Sequence, residues 1–159
     1  MKRGARISLW LVAVVGLLVM TARFGVTPYI VYGDSMLPTL HSWELCLMAR
    51  AHSYEPRRGD IVMFRTADKP VLHFVKRVIA LPGETVTIEH GVVGIDGKPL
   101  DELYTTRNLG WEMTPTVVPS GKVFVLGDNR DVALEATVYG LVAARLIEAR
   151  LLTHWRWKE

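Results

Sequence analysis

The pattern of apolar and polar positions sets the start of the chain apart from the rest. Positions 7 to 22 read ISLWLVAVVGLLVMTA and carry no charge, whereas Lys2, Arg3 and Arg6 precede them and Arg23 follows. Such a run is typical of a membrane-spanning helix or of a cleavable export signal. At about 1.5 Å per residue, roughly 16 residues cover about 24 Å, slightly less than a hydrocarbon core of ~30 Å. Arg6 and Arg23 can extend their charged ends to the membrane surfaces.

A retained anchor is favoured over a cleaved signal, because Arg23 puts a charge where a processing enzyme prefers small neutral residues. The excess of positive charge before the apolar segment predicts that the N-terminus stays in the cytoplasm. We therefore expect a single-pass protein of the plasma (inner) membrane. Residues 1–25 would form its cytoplasmic basic tail and anchor, and residues 26–159 one extracytoplasmic domain.

Beyond the anchor, short runs of β-branched and aromatic residues alternate with turn residues, which predicts a mostly β fold. Turns are expected at Pro82-Gly83, His90-Gly91 and Asp96-Gly97. The end of the chain, 141–157, also fits a basic amphipathic helix on the membrane, since its periodicity does not distinguish the two states. A strand is favoured there. The predicted strands are 44–50, 60–65, 71–80, 85–89, 92–95, 122–126 and 146–153.

Charge and composition exclude several classes of function. Lysine and arginine number 19 against 16 acidic residues, and the excess lies in the N-terminal tail, so the expected domain is formally neutral. A nucleic-acid-binding domain needs a basic surface, and we therefore expect no nucleic-acid partner. The single cysteine, Cys46, excludes an intramolecular disulfide, and its apolar neighbours predict a buried, unreactive thiol. The scattered histidines lack metal-ligand spacing, so neither a metal site nor a cofactor is expected.

A serine and a lysine are the candidates for chemistry. Ser35 lies in GDSMLPTL, where Gly33 permits a close approach of substrate. A serine hydroxyl becomes a nucleophile only when a base removes its proton. In HFVKRVIA, Lys76 would share one strand face with Phe74 and Val78, and burial there would lower its pKa from about 10.4 toward about 8. Taken singly, Ser35 also fits a plain turn serine and Lys76 a surface lysine.

Four segments, GDSMLPTL, RRGDIVMF, HFVKRVIALPGE and VFVLGDNRD, follow one another along the chain. Together they resemble the bacterial type I signal peptidases, the Ser-Lys dyad peptidases of family S26, over nearly the whole sequence. The resemblance implies a catalytic domain of coiled antiparallel β-sheets that removes signal peptides from exported preproteins. Ser35 would be the nucleophile and Lys76 the general base. Exported preproteins and membrane lipid would be the partners.

The resemblance also assigns supporting roles. The backbone amide of Ser35 would help to form the oxyanion hole, and Gly33 stands where some members carry a second, hydroxyl donor. Arg77 and Asp128 match positions that pair electrostatically behind the site, and Asn129 helps to shape the adjoining loop. Shallow apolar pockets for small residues, giving an Ala-x-Ala specificity, would be formed by Tyr32, Met36, Leu40, Phe74 and Val75.

The loop after Asn129 departs from the family pattern. Ala133 stands where a serine usually donates a hydrogen bond to the lysine. Thr137 stands where an arginine usually pairs with the acid that Glu135 replaces. Lys76 thereby loses an expected orienting contact, which predicts a reduced rate or a narrow set of substrates.

Two other interpretations stay open. A catalytically silent homologue would bind exported or pilin-like chains without cutting them, although it would have no need of Ser35 and Lys76. A cytoplasmic Ser-Lys autoprotease of the SOS-repressor type would share the chemistry. That interpretation is disfavoured because an apolar segment occupies the place of a DNA-binding domain and the body of the chain lacks net basic charge.

Overall fold

The computed structural model describes residues 10–12, 14–16, 18–19, 21, 23, 25–51, 54–66, 71–105, 110–131 and 140–156. The described positions between 10 and 23 are helical, and their large apolar side chains, such as Trp10 and Leu18, are exposed. Within these described ranges, no helix is long and apolar enough to cross a membrane. Residues 1–9, which hold the expected basic tail and the start of the expected anchor, lie outside the described part of the chain, as do positions 13, 17, 20, 22 and 24.

Short strands follow this segment, as the alternation of apolar and turn residues predicts. A 3-10 turn, Ala144–Leu146, separates the last two strands. The strands of the described residues are β1 (Val26–Ile30), β2 (Leu45–Arg50), β3 (Ile61–Phe64), β4 (Phe74–Ala80), β5 (Thr85–Glu89), β6 (Val92–Ile95), β7 (Lys98–Pro99), β8 (Met113–Val117), β9 (Lys122–Leu126), β10 (Gly140–Ala143) and β11 (Ile147–Trp155).

The strands form two antiparallel sheets. The larger has the order β1-β2-β11-β3-β4-β9-β10, and the smaller has the order β7-β6-β5-β8. Three predicted turns connect β4 to β5, β5 to β6 and β6 to β7, and Gly83, Gly91 and Gly97 take φ values of 90°, 77° and 75° in them. Glycine adopts this left-handed region without the steric cost that a Cβ brings. The mostly β, antiparallel fold is therefore confirmed.

Three clusters of buried side chains make up the core. One joins the smaller sheet to β4 and β9 through residues such as Ile88 and Phe124. A second lies beneath the loop between β1 and β2 and includes Met36, Leu40 and Cys46. The third packs on β3, β4 and β9. Burial raises the pKa of the Cys46 thiol to about 11, which agrees with the expected unreactive cysteine. A fully buried aliphatic side chain contributes about 1.5–3 kcal/mol, so these clusters stabilise both sheets.

All seven predicted strands overlap observed ones, with two corrections. The predicted strand 71–80 begins only at Phe74, because Val71 and Leu72 lie outside the sheet with most of their apolar surface exposed. The alternative helix over 141–157 is wrong for the described positions, which form β10, the 3-10 turn and β11. The sequence analysis did not predict β1, β7, β8 or β10.

Candidate active site

Ser35 lies in the loop between β1 and β2, and a second loop, 127–131, holds it in place. The backbone N–H of Asn129 donates to the Ser35 carbonyl oxygen at 3.2 Å. The Asn129 side-chain amide donates to the Asp34 carbonyl oxygen at 2.9 Å. Met36, the next residue after Ser35, is buried in the core cluster beneath the loop. These contacts fix the backbone on both sides of the serine.

Lys76 lies in the middle of β4, between β3 and β9, and is only 3% exposed. Burial disfavours the ammonium form and lowers the pKa of Lys76 to about 8, while the negative charge of Asp128 opposes part of this effect. Across the described ranges, no side chain forms a hydrogen bond or salt bridge with the lysine amine. An amine in these surroundings is available as a proton acceptor close to neutral pH.

Ser35 and Lys76 line one cavity of about 320 Å³. Gly127 lies between them: a Cβ placed on it would be 3.5 Å from Lys76 Nζ and would collide with the Ser35 carbonyl oxygen. The loop that carries Gly127 therefore brings the serine backbone and the lysine amine together. This close approach explains why glycine is needed at position 127.

Most of the residues expected to face substrate line the same cavity. Tyr32, Met36, Phe74 and Val75 all contribute to its wall. Leu40 does not, because its side chain is wholly buried in the core cluster beneath the loop. Further lining residues that the sequence analysis did not single out are Tyr29, Val31, Val71, Leu72 and His73.

The two backbone amides near the serine have different partners. No described residue accepts a hydrogen bond from the Ser35 N–H. The Gly33 N–H, in contrast, donates to Ser42 Oγ at 3.1 Å. Gly33 has a φ of 99°, which residues with a Cβ rarely adopt. A hydroxyl-bearing residue at position 33 would therefore strain the loop.

Arg77 and Asp128 form a bidentate ion pair beside the lysine. Arg77 Nε donates to Asp128 Oδ1 at 2.9 Å, and Nη2 donates to Oδ2 at 2.5 Å. The Thr39 hydroxyl donates to the same carboxylate. Both charged groups lie in the interior, with Asp128 fully buried, where a hydrogen-bonded pair resists screening by solvent. The pair ties β4 to the loop 127–131, and its supporting role in catalysis stays a prediction.

A second buried pair was missed by the sequence analysis. Arg130 is 1% exposed, and its Nη2 donates to Glu102 Oε1 at 2.5 Å. Arg130 Nε also donates to the Gly127 carbonyl oxygen at 2.8 Å. The Tyr104 hydroxyl donates to the Glu102 carboxylate, and the Arg77 guanidinium lies 3.9 Å from the centre of the Tyr104 ring. The two ion pairs thus form one network behind the cavity.

The departures from the family pattern, at Ala133, Glu135 and Thr137, fall outside the described residues. Their effect on Lys76 stays a prediction. Among the residues that the structure does describe, no group of three histidine, cysteine or acidic side chains is arranged to hold a metal ion.

Comparison with known proteins places the sequence beside one family of relatives. The family model described as signal peptidase, peptidase S26, matches residues 4–157. Probable signal peptidase I-1 of Synechocystis sp. is 37% identical over 146 residues, which cover 86% of this chain and 74% of the relative. Signal peptidase I T of Bacillus subtilis is 39% identical over 132 residues, which cover 76% and 68%.

A solved structure, the crystal structure of a signal peptidase I from Enterococcus faecalis, has 30% sequence identity to this chain. The superposition covers 62% of this chain and 97% of the Enterococcus faecalis chain, with a TM-score of 0.49. The family match spans almost the full sequence, and the relatives in two bacterial genera align over most of their own length. The chain belongs to the signal peptidase family of serine endopeptidases, peptidase S26.

Proposed function

We propose that this chain removes N-terminal signal peptides from exported preproteins, with Ser35 as nucleophile and Lys76 as general base. The names of the relatives support the reaction class. The observation that carries the assignment of residues is the burial of Lys76 in a cavity that Ser35 also lines. Burial supplies a neutral amine, and the shared cavity gives the substrate access to both groups.

In the first half of the reaction, the neutral amine of Lys76 accepts the proton of the Ser35 hydroxyl as Oγ attacks the scissile carbonyl carbon. The carbonyl oxygen becomes an oxyanion and accepts a hydrogen bond from the Ser35 N–H, which has no acceptor among the described residues. A single oxyanion donor contributes about 2.7–4 kcal/mol. The Lys76 ammonium then gives its proton to the leaving amine, which departs as the N-terminus of the mature protein.

In the second half, Lys76 is neutral again and accepts a proton from a water molecule. The resulting hydroxide attacks the ester between Ser35 and the signal peptide. Collapse of this second tetrahedral intermediate returns the proton to Ser35 Oγ and releases the new carboxyl terminus. One base therefore serves both steps, which requires that its pKa lie near the working pH.

The cavity walls support the proposed Ala-x-Ala specificity. Met36, Phe74 and Val75 present apolar surface beside the serine and leave a volume of about 320 Å³. Small uncharged side chains fit such shallow apolar surface, while a charged side chain would lose its hydration without gaining a partner.

The proposal includes a single-pass anchor, with residues 1–25 as cytoplasmic tail and membrane segment and residues 26–159 as an extracytoplasmic peptidase domain. It is supported by the unpartnered apolar side chains on the described part of positions 10–23, such as Trp10 at 73% exposure. Exposed apolar surface of this kind needs an apolar environment.

Protease protection of spheroplasts tests the topology: external protease should digest the domain, and a shielded domain would contradict the proposed orientation.

Cleavage of a preprotein with an Ala-x-Ala site tests the activity. The full chain in detergent should cut after the second alanine, and sequencing the product ends identifies the bond. Ser35→Ala is the control, because it removes the nucleophile from a half-buried loop position and leaves the packing of the core unchanged. Cutting by Ser35→Ala at the parental rate would contradict the proposed nucleophile. Tight binding of the preprotein by a parent that does not cut would favour the silent homologue instead.

A further inference from the structure

A second cavity, of about 490 Å³, shares Tyr29 with the cavity of Ser35 and Lys76 and has no part in the proposed reaction. Its apolar wall comes from the larger sheet, and two arginines, Arg50 and Arg145, lie beside that wall. We propose that this cavity binds the headgroup of an anionic phospholipid, with both guanidinium groups contacting the phosphate. The inference rests on the proposed membrane anchoring and adds a specific lipid site to it.

The charges in the cavity favour an anion. Arg50 and Arg145 are both exposed, and neither side chain has a salt-bridge partner in the described ranges. The one acid that lines the cavity, Glu148, already contacts Arg65 and also lies 3.1 Å from His73 Nε2. Arginine binds phosphate through paired N–H donors, and these two arginines together supply enough donors for one phosphate group.

The position of Arg50 places the cavity at the membrane surface. The Arg50 N–H donates to the Gly25 carbonyl oxygen at 2.8 Å, and a Cβ on Gly25 would lie 3.7 Å from Arg50 Cβ. Gly25 follows Arg23, the first charge after the apolar segment, by two residues, which span at most about 7 Å. The headgroup layer is roughly 5–8 Å thick on each side of the bilayer. Arg50 therefore lies at the depth of the lipid phosphates when the segment spans the membrane.

The apolar wall distinguishes a lipid from a free phosphate ion. Met48, Met63, Ile147 and Ala149 line the cavity beside the arginines. A phosphate ion gains only the ionic contacts, whereas the glycerol and first acyl carbons of a phospholipid also cover this apolar surface. The combination of apolar wall and cationic side chains matches a lipid at the interface, where chain and headgroup meet.

Crosslinking of the full chain in lipid nanodiscs tests the site. The probe is phosphatidylglycerol with a photoreactive headgroup, compared with the same group on phosphatidylcholine, and the crosslinked peptides are mapped. An arginine near an anionic surface strengthens lipid binding by about fivefold. Arg50→Gln should therefore lower the preference for phosphatidylglycerol roughly fivefold. The double variant, Arg50→Gln with Arg145→Gln, should lower it roughly thirtyfold. Arg57→Gln is the matched control, because Arg57 is an exposed arginine that lines a different cavity.

The proposal is supported if crosslinks map to the peptides around positions 50 and 145 and the double variant loses them. Equal crosslinking by the two lipids, or an unchanged preference in the double variant, would overturn it. Loss of the crosslinks on addition of inorganic phosphate would identify a free-phosphate site and also overturn the lipid assignment. Cleavage of a preprotein in detergent, measured on the same variants, separates this test from that of the peptidase. If the parent crosslinks to phosphatidylglycerol but does not cut the preprotein, the lipid site is supported and the proposed peptidase activity is contradicted.

Discussion

The Ser35 carbonyl oxygen packs against the Cα of Gly127, so closely that a Cβ at position 127 would overlap it. The same Cβ would lie 3.5 Å from Lys76 Nζ. A backbone carbonyl cannot swing aside as a flexible side chain can, because Asn129 holds it through a hydrogen bond. The distance between the proposed nucleophile and base is thus set by a glycine that performs no chemistry itself.

Gly127→Ala should displace the serine loop and reduce cleavage of a preprotein roughly a hundredfold, the cost of a misplacement of about 1 Å at a reacting centre. Gly16→Ala is the control, since a Cβ on Gly16 has nothing within 4 Å. The measurement is kcat/KM for both variants in detergent. Parental activity in Gly127→Ala would show that the two loops separate without effect on the reaction.

Lys76→Ala and Lys76→Arg should both abolish cleavage while the fold is retained. Alanine removes the base, and arginine stays protonated and cannot accept the serine proton. Lys122→Arg, an exposed change of the same kind, should cut at the parental rate. Near-parental activity of Lys76→Arg in the preprotein assay would reduce the role of the lysine to that of a positive charge.

Glu102→Ala should destabilise the domain by about 3 kcal/mol, because it leaves the buried Arg130 guanidinium without its carboxylate. Glu112→Ala is the comparison, since the His90–Glu112 pair is exposed and a pair of that kind contributes little. Thermal unfolding in detergent measures both free energies. Equal effects of the two substitutions would mean that the Arg130–Glu102 pair does not hold the loop 127–131.

Asp128→Asn should move the pH dependence of cleavage to lower pH. The Asp128 carboxylate raises the pKa of Lys76, so its removal leaves burial unopposed and lowers that pKa below about 8. The Arg77 guanidinium, deprived of its partner, lowers the pKa further. The rate itself should also fall, since the ion pair behind the site is lost. A midpoint that moves to higher pH would contradict this electrostatic assignment.

Ala133→Ser, in the part of the chain outside the described residues, should raise the rate several-fold. A serine hydroxyl there would hold the Lys76 amine toward Ser35, and a neutral hydrogen bond contributes about 0.5–1.5 kcal/mol, where ~1.4 kcal/mol is tenfold in rate. The measurement is kcat for the parent and the variant. An unchanged rate, with Ser35→Ala and Lys76→Ala still inactive, would show that another group orients the amine.

The sequence predicted the interior strands well and the edges poorly. The four strands that it missed, β1, β7, β8 and β10, are the edge strands of the two sheets. Three of them contain proline, at Pro28, Pro99 and Pro115, which removes a ladder hydrogen bond and is tolerated at an edge. A run of β-branched residues is typical of a strand that is buried between two neighbouring strands. Edge strands have a neighbour on one side only, so their sequences show this pattern less clearly.

The candidate site shows a similar division. Ser35 and Lys76 lie in local motifs, so their chemistry was visible in the sequence. Glu102 was not, because it lies in a loop without a motif and meets Arg130 only through the fold. The family resemblance implied that Leu40 faces substrate, but its side chain packs into the core cluster beneath the loop. Spacing along a chain identifies reactive residue types, while long-range partners depend on the packing of the sheets.

The pH dependence of kcat/KM for the parent, which reports the free enzyme, tests the central claim most directly. With Lys76 as a buried base, the rate should rise through an apparent pKa near 8 and reach a plateau above it, because only the neutral amine accepts the serine proton. Ser35→Ala, measured over the same range, should show no cleavage at any pH. A rate that is flat between about pH 6 and about pH 10, or that rises only near the ~10.4 of a free lysine, would contradict the Ser35–Lys76 dyad.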